Sequence, residues 1–254
     1  MTALELDAYF RSVLKIKDFQ KIDSSLNGLQ VDGGGGADIK KIAFAVDACM
    51  ETFLQAYAIN AGMVFAHHGL FWGGATALTG IQGGRVKFLM DKNIALYAAH
   101  LPLDENAEVG NNACLARLLE LKDVRPFGFY KGVQIGFKGV FERPVTINEA
   151  ALRVSFMGRE AAAVLPFGPK ENKTCAVISG GASMEAVQAV EEGVDLYVTG
   201  EALHSVYHIA LEGRLNMIGG GHYATEVWGV RALAEKCEKE TGIECVFLDV
   251  PTGL

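Results

Sequence analysis

Four of the six histidines in this 254-residue chain stand where short apolar runs end: His67, His68, His100 and His222. A carboxylate follows two of them at the same interval, Asp104 after His100 and Glu226 after His222. Imidazole nitrogens with carboxylate oxygens form a donor set suited to Zn, Fe, Mn, Co or Ni. Adjacent residues within a strand face opposite ways, so His67 and His68 share a site only if the chain turns beside them. Gly69 directly after the pair permits that turn. Asp104 and Glu226 could bridge two cations roughly 3.5–4 Å apart, an arrangement that activates a shared water near neutral pH. Hydrolysis is the chemistry such a site would serve.

Purely structural readings of the same residues remain open. A histidine beside an apolar run is often a hydrogen-bonded structural residue. Glu226 at the start of a helix gains from the helix dipole without any metal. Asp104 in LPLDEN also suits a turn or cap. Glu201, in VTGE, is either an acid–base group reaching the site or a helix-starting acid. His204 and His208 are spaced to share one helix face but lack the glutamate of the zinc-protease motif. They read as a polar face or a cleft entrance. Gly33–Gly36 and Gly219–Gly221 match no phosphate-binding loop and read as turns. The Ser and Cys residues form no nucleophile motif.

The elements that must position these side chains alternate along the chain. A helix over Leu4–Leu14 presents Leu4, Ala8, Phe10 and Leu14, and Asp23–Gly36 reads as turn, short extended piece, turn. Strands are expected at IAFAVDA, MVFA and IALYAAH, with helices near 50–60, 85–92 and 111–121. Residues 127–168 depart from this pattern. It returns with CAVISGG, DLYVTGE, NMIGGGH and ECVFLDV as strands, separated by helices near 184–192, 205–212 and 226–241. The order implies an α/β fold with largely parallel strands. AFAVDACME (43–51) can be laid over AVISGGASME (176–185), and both stretches later end in His-x-x-x-carboxylate. The expectation is two similar α/β domains related by an internal pseudo-duplication, with the metal site in the cleft between them. Residues 1–126 would carry His67, His68 and Asp104, and residues 127–254 would carry His222 and Glu226. The C-terminal helix and strand could pack back on the first domain. Open α/β sheets bind ligands at the carboxyl ends of their strands, where these residues fall.

Composition narrows the classes. A net charge of -7 without basic blocks argues against nucleic-acid binding. The longest apolar runs fall far short of the ~20 residues that span a bilayer. MTALELDAYF lacks the basic-then-apolar layout of an export signal, so a cytoplasmic location is expected. Five cysteines without a C-x-x-C pair read as small hydrophobes in a reducing compartment.

NGLQVDG, AHHGLFW, AAHLPLDE followed by GNNA, VTGE and GGGHYATEVWGVRAL together resemble the GTP cyclohydrolase I type 2 homologues, the Ngg-interacting-factor-three-like family. The resemblance runs from about Asn27 to Leu254, and the chain resembles the short bacterial form. It implies two divalent cations per subunit in a cleft between two α/β domains, with His67, His68, Asp104, His222 and Glu226 as ligands. His100 would stand behind the ligands, and His100 and Glu201 are candidates for assisting proton transfer. The resemblance also implies a toroidal homohexamer and a metal-dependent hydrolase, acting on a nucleotide or similar small polar substrate through metal-activated water. The alternative is a metal-binding scaffold or partner-binding ring without turnover. Gly69 departs from the family pattern, where many members have proline.

Overall fold

The computed structural model describes residues 1–34 and 36–254, so Gly35 of the expected Gly33–Gly36 turn lies outside the described residues. The chain divides into two compact units, Met1–Leu103 with Val230–Val250 and Asp104–Gly229 with Pro251–Leu254.

The first unit opens with α1 (Ala3–Leu14), capped by a reciprocal pair in which Thr2 and Glu5 each bond the other's backbone N–H. Its buried stripe is Ala3, Leu6, Phe10 and Leu14. Leu4 and Ala8, expected inward, are exposed, because Leu4 lies on the flank of that stripe and Ala8 nearly opposite it on the helix. Next come β1 (Gly28–Val31), β2 (Lys41–Asp47), α2 (Met50–Ala58), β3 (Met63–His68), α3 (Gly80–Asp91) and β4 (Ala95–Ala98). The sheet order is β1-β4-β3-β2, extended beyond β2 by β11 (Glu244–Phe247). β11, β2, β3 and β4 run parallel, and β1 runs antiparallel to β4.

Strand alternation explains how this sheet is covered on both faces. Register sets Phe44 opposite Phe65 and Phe65 opposite Tyr97. Those three rings share one face and pack on Phe10 of α1, with centroid separations of 4.9–6.2 Å to it. The intervening residues Ala43, Ala45, Val64, Ala66 and Leu96 face the other way, against Phe53 of α2 and Leu89 of α3.

The second unit follows α4 (Leu101–Glu105) with α5 (Asn111–Leu118), β5 (Lys122–Tyr130), β6 (Val133–Val145), α6 (Ile147–Arg153), β7 (Ala163–Pro166) and β8 (Asn172–Val177). Then come α7 (Ala186–Glu191), β9 (Leu196–Thr199), α8 (Tyr207–Glu212), β10 (Asn216–Gly219) and α9 (His222–Thr241). The sheet order is β5-β6-β8-β9-β10-β7, with β8, β9 and β10 parallel and the others antiparallel. The stretch over 127–168 that breaks the sequence pattern is thus the β5–β6 hairpin, α6 and β7. α5 and α6 cover one face through Leu115, Leu119, Ala150 and Val154 over Val177, Val198 and Ile218.

Both sheets contain three consecutive parallel strands in spatial order third, second, first. Each third strand is flanked by an antiparallel strand that precedes the trio in sequence. They differ beyond the first strand, where β11 joins parallel and β6 antiparallel. Among the described residues, no helix is long and apolar enough to cross a membrane.

Candidate metal centre

Each parallel strand delivers polar side chains at its carboxyl end. In the first unit β2 ends at Asp47, β3 at His67 and His68, and β4 leads through Ala99 to His100. His67 is buried, and its Nδ1 lies 3.0 Å from the Ala99 carbonyl oxygen. A carbonyl only accepts, so Nδ1 donates and Nε2 holds the lone pair. His68 Nδ1 lies 2.9 Å from Asp47 Oδ1, and strand register places those two residues opposite one another. His100 Nδ1 lies 3.0 Å from Asp23 Oδ1. Asp23 is itself held by the Ser25 and Leu101 backbone N–H groups and the Asn27 side-chain amide. Burial pushes the Asp23 carboxyl up, but the hydrogen bond and charge of His100 outweigh it and keep it below the usual carboxylate range.

The three imidazoles converge. Ring centroids are 4.6 Å apart for His67–His68, 5.2 Å for His67–His100 and 5.7 Å for His68–His100. One ring nitrogen from each lies within 4.8 Å of the others. Both histidines of the pair belong to β3, with Gly69 immediately after. A Cβ at Gly69 would collide with the Gln30 amide and the Ala98 methyl, so this position takes no side chain without movement of its neighbours. Gln30 Oε1 accepts the Leu70 N–H at 2.8 Å and holds the chain as it leaves the strand.

In the second unit β8 leads to Ser179 and Gly180, β9 to Glu201, and β10 to Gly221 and the first residue of α9, His222. His222 Nδ1 lies 2.6 Å from Glu201 Oε1, and its Nε2 lies 3.3 Å from Glu226 Oε1. The hydrogen bond to Glu226 is the largest cause of a His222 pKa pushed up to about 9; burial opposes it and Glu201 adds to it. α9 begins at His222 rather than at Glu226, which moves Glu226 one turn inward and weakens the dipole explanation for an acid there. Gly180, at φ +63°, lies so close to Glu226 that a Cβ would strike its carboxylate. Asp104 stands on α4, where the sequence suggested a turn. Its Oδ1 accepts from Asn111 Nδ2 at 2.9 Å and Ser179 Oγ at 3.0 Å. Carboxylate oxygens of Asp104 and Glu226 lie within 4.8 Å of one another.

Glu201 therefore touches the His222 imidazole, whereas His204 and His208 are exposed on a 3-10 turn and α8. Sequence reasoning passed over Asp23, Asp47, Asn111 and Ser179. Asp47 was legible in principle, as the one charged residue closing an apolar strand run beside the His pair. Asp23 was not, because seventy-odd residues separate it from His100.

The donor chemistry fits a divalent cation. Three first-unit imidazoles have Nδ1 occupied by an acceptor, the arrangement that orients ligating histidines elsewhere. The fourth sits between two carboxylates that attract a proton, and a cation would replace that charge.

Residues 1–253 match the family model described as Duf34/NIF3 (NGG1p interacting factor 3). The protein named GTP cyclohydrolase 1 type 2 homolog from Archaeoglobus fulgidus is 44% identical over 254 residues, covering 100% of both chains. The one of that name from Pyrococcus abyssi is 40% identical over 251 residues, covering 98% of each. A crystal structure from Thermus thermophilus superposes with a TM-score of 0.89 at 38% identity, covering 100% of both chains. Reduced HcgD from Methanocaldococcus jannaschii superposes at 0.83 with 28% identity and 98% coverage of each.

Proposed function

The chain belongs to the Duf34/NIF3 family, and from that premise we propose that it is a metal-dependent hydrolase with a dinuclear centre. His67, His68, Asp104, His222 and Glu226 would hold two divalent cations, whose chemistry when bound is activation of water for attack on a nucleotide or similar small polar substrate. The observation that carries this reading is the set of acceptors at the imidazole Nδ1 atoms: Ala99 O, Asp47, Asp23 and Glu201. A structural histidine needs one such partner. Four placed alike at strand ends favour ligands held for a cation.

The chain's own residues have definable tasks. Asp47 and Asp23 fix the ring orientations of His68 and His100 through Nδ1. Asn111 and Ser179 orient the Asp104 carboxylate through Oδ1. Glu201, 36% exposed and bonded to His222 Nδ1, is the group suited to passing a proton to or from solvent, with His100 a second. A cytoplasmic location and assembly as a homohexamer belong to the same reading, the hexamer resting on the family resemblance and the location on cysteines that read as reduced thiols.

Elemental analysis of purified protein tests the assignment. His68→Ala and Glu226→Ala are expected to lose bound metal while remaining folded by circular dichroism. Unchanged metal content in both would sink the ligand set. Incubating metal-loaded protein with GTP and a panel of modified nucleotides tests turnover, and no product above the double variant would leave a metal-binding scaffold.

A further inference from the structure

Beside the histidine cluster stands an aromatic residue that neither the core nor the proposed ligand set uses. Trp72 follows the AHHGLF stretch and is 39% exposed, unusual for an indole whose burial would stabilise the fold. It is not loosely held. Nε1–H donates to the Gly69 carbonyl at 2.9 Å, and a backbone bridge pairs Trp72 with Ser25. The indole meets His100 edge to face at 4.9 Å between centroids and lies 6.1 Å from His68. After it, residues 73–80 are all exposed. A large flat apolar ring is thus pinned against two imidazoles of the cluster with over a third of its surface in water.

We propose that Trp72 is a stacking platform for a planar heteroaromatic ring carried to the histidine cluster, so that the substrate class is a nucleobase-like heterocycle rather than a sugar phosphate alone. This rests on the hydrolase reading above and narrows its substrate. A ring already fixed by a hydrogen bond and by its imidazole neighbour loses little freedom when a second ring stacks on it. Stacking on a tryptophan is also tolerant of which base is presented, because each has a π-face. Trp72 makes no bond to the reacting atoms and is a positioning residue.

The chain has two tryptophans, so Trp228→Phe leaves Trp72 as the only indole. That variant, metal-free and zinc-loaded, is titrated with guanosine monophosphate and with ribose phosphate while indole fluorescence is followed. Guanosine monophosphate is expected to quench Trp72, and ribose phosphate is not. In the otherwise native chain, Trp72→Ala should weaken guanosine monophosphate binding by calorimetry about tenfold. Trp72→Phe should restore most of it, and ribose phosphate affinity should not change. Equal quenching by both probes, no quenching by guanosine monophosphate, or unchanged affinity in Trp72→Ala would overturn the proposal. Metal content measured on the same samples keeps the two readings apart. Its absence counts against the metal site, whereas the ring-dependent signal decides the role of Trp72.

Discussion

The histidine cluster of the first unit and the His222 set of the second differ in their balance of imidazoles to carboxylates. His67, His68 and His100 each bond an acceptor through Nδ1, and they lie together as three imidazoles. His222 lies between Glu201 and Glu226, and that pair lifts its pKa to about 9. One set is rich in nitrogen and the other in negative charge. The difference teaches that similar strand order does not dictate similar chemistry. β3 supplies two imidazoles at its end, whereas the corresponding middle strand β9 supplies Glu201.

The comparison can be broken most severely at Gly180. Its left-handed backbone disfavours a side chain by about 1–2 kcal/mol, and a methyl there would push the Glu226 carboxylate aside. Gly180→Ala should abolish metal retention by elemental analysis, a larger effect than loss of any residue behind the ligands. Gly69→Ala is the matching first-unit change, and it should disturb Gln30 and Ala98 before it reaches the imidazoles. If the two variants lose metal equally, the second-unit set is not the more tightly constrained one.

Smaller changes sharpen the contrast. Asp47→Asn should lower metal affinity by roughly 10–100-fold, the usual consequence of removing a carboxylate behind a ligating histidine. Asp23→Asn should act in the same direction through His100, with less effect if His100 stands behind the ligands. Glu201→Gln is read through His222 itself. In metal-free protein it should lower the His222 pKa from about 9, by less than Glu226→Gln does because Glu226 is the larger cause, as followed by NMR titration of the imidazole.

The smallest expected effect is on stability against pH, and the two units differ in its direction. The raised His222 pKa contributes stability that is complete below 6.5 and lost as pH rises through about 9. The lowered Asp23 pKa contributes stability present above the ordinary carboxylate value and lost as pH falls through its folded value. Urea unfolding of metal-free protein should therefore show Glu226→Gln flattening the alkaline limb and Asp23→Asn flattening the acid limb. A variant that flattens the wrong limb would overturn the corresponding ion pair.

Much of this was legible in the amino-acid order. Short apolar runs marked β2, β3, β4, β8, β9, β10 and β11, because a strand buried on both faces reads as continuous apolar text. Helix boundaries were less secure. α9 starts four residues before the acid that looked like its first turn, since the Gly219–Gly221 run conceals where the helix begins. The face of α1 was misread for a related reason: Leu4 and Leu6 are equally apolar, and only the sheet decides which one is buried.

What the sequence determined by itself was the inventory: imidazoles and carboxylates at the ends of apolar runs, and a family membership carried by long motifs. Tertiary structure alone decided which partners hold them. Asp23 reaches His100 because the antiparallel strand β1 starts where β4 ends, and Glu201 reaches His222 because the neighbouring parallel strands β9 and β10 of the other sheet finish side by side. Hydrogen-bond geometry at those strand ends depends on register and twist across strands far apart in the chain, and no local spacing encodes it. The histidines could be named from the sequence, but which nitrogen each offers is fixed by what the fold sets beside it.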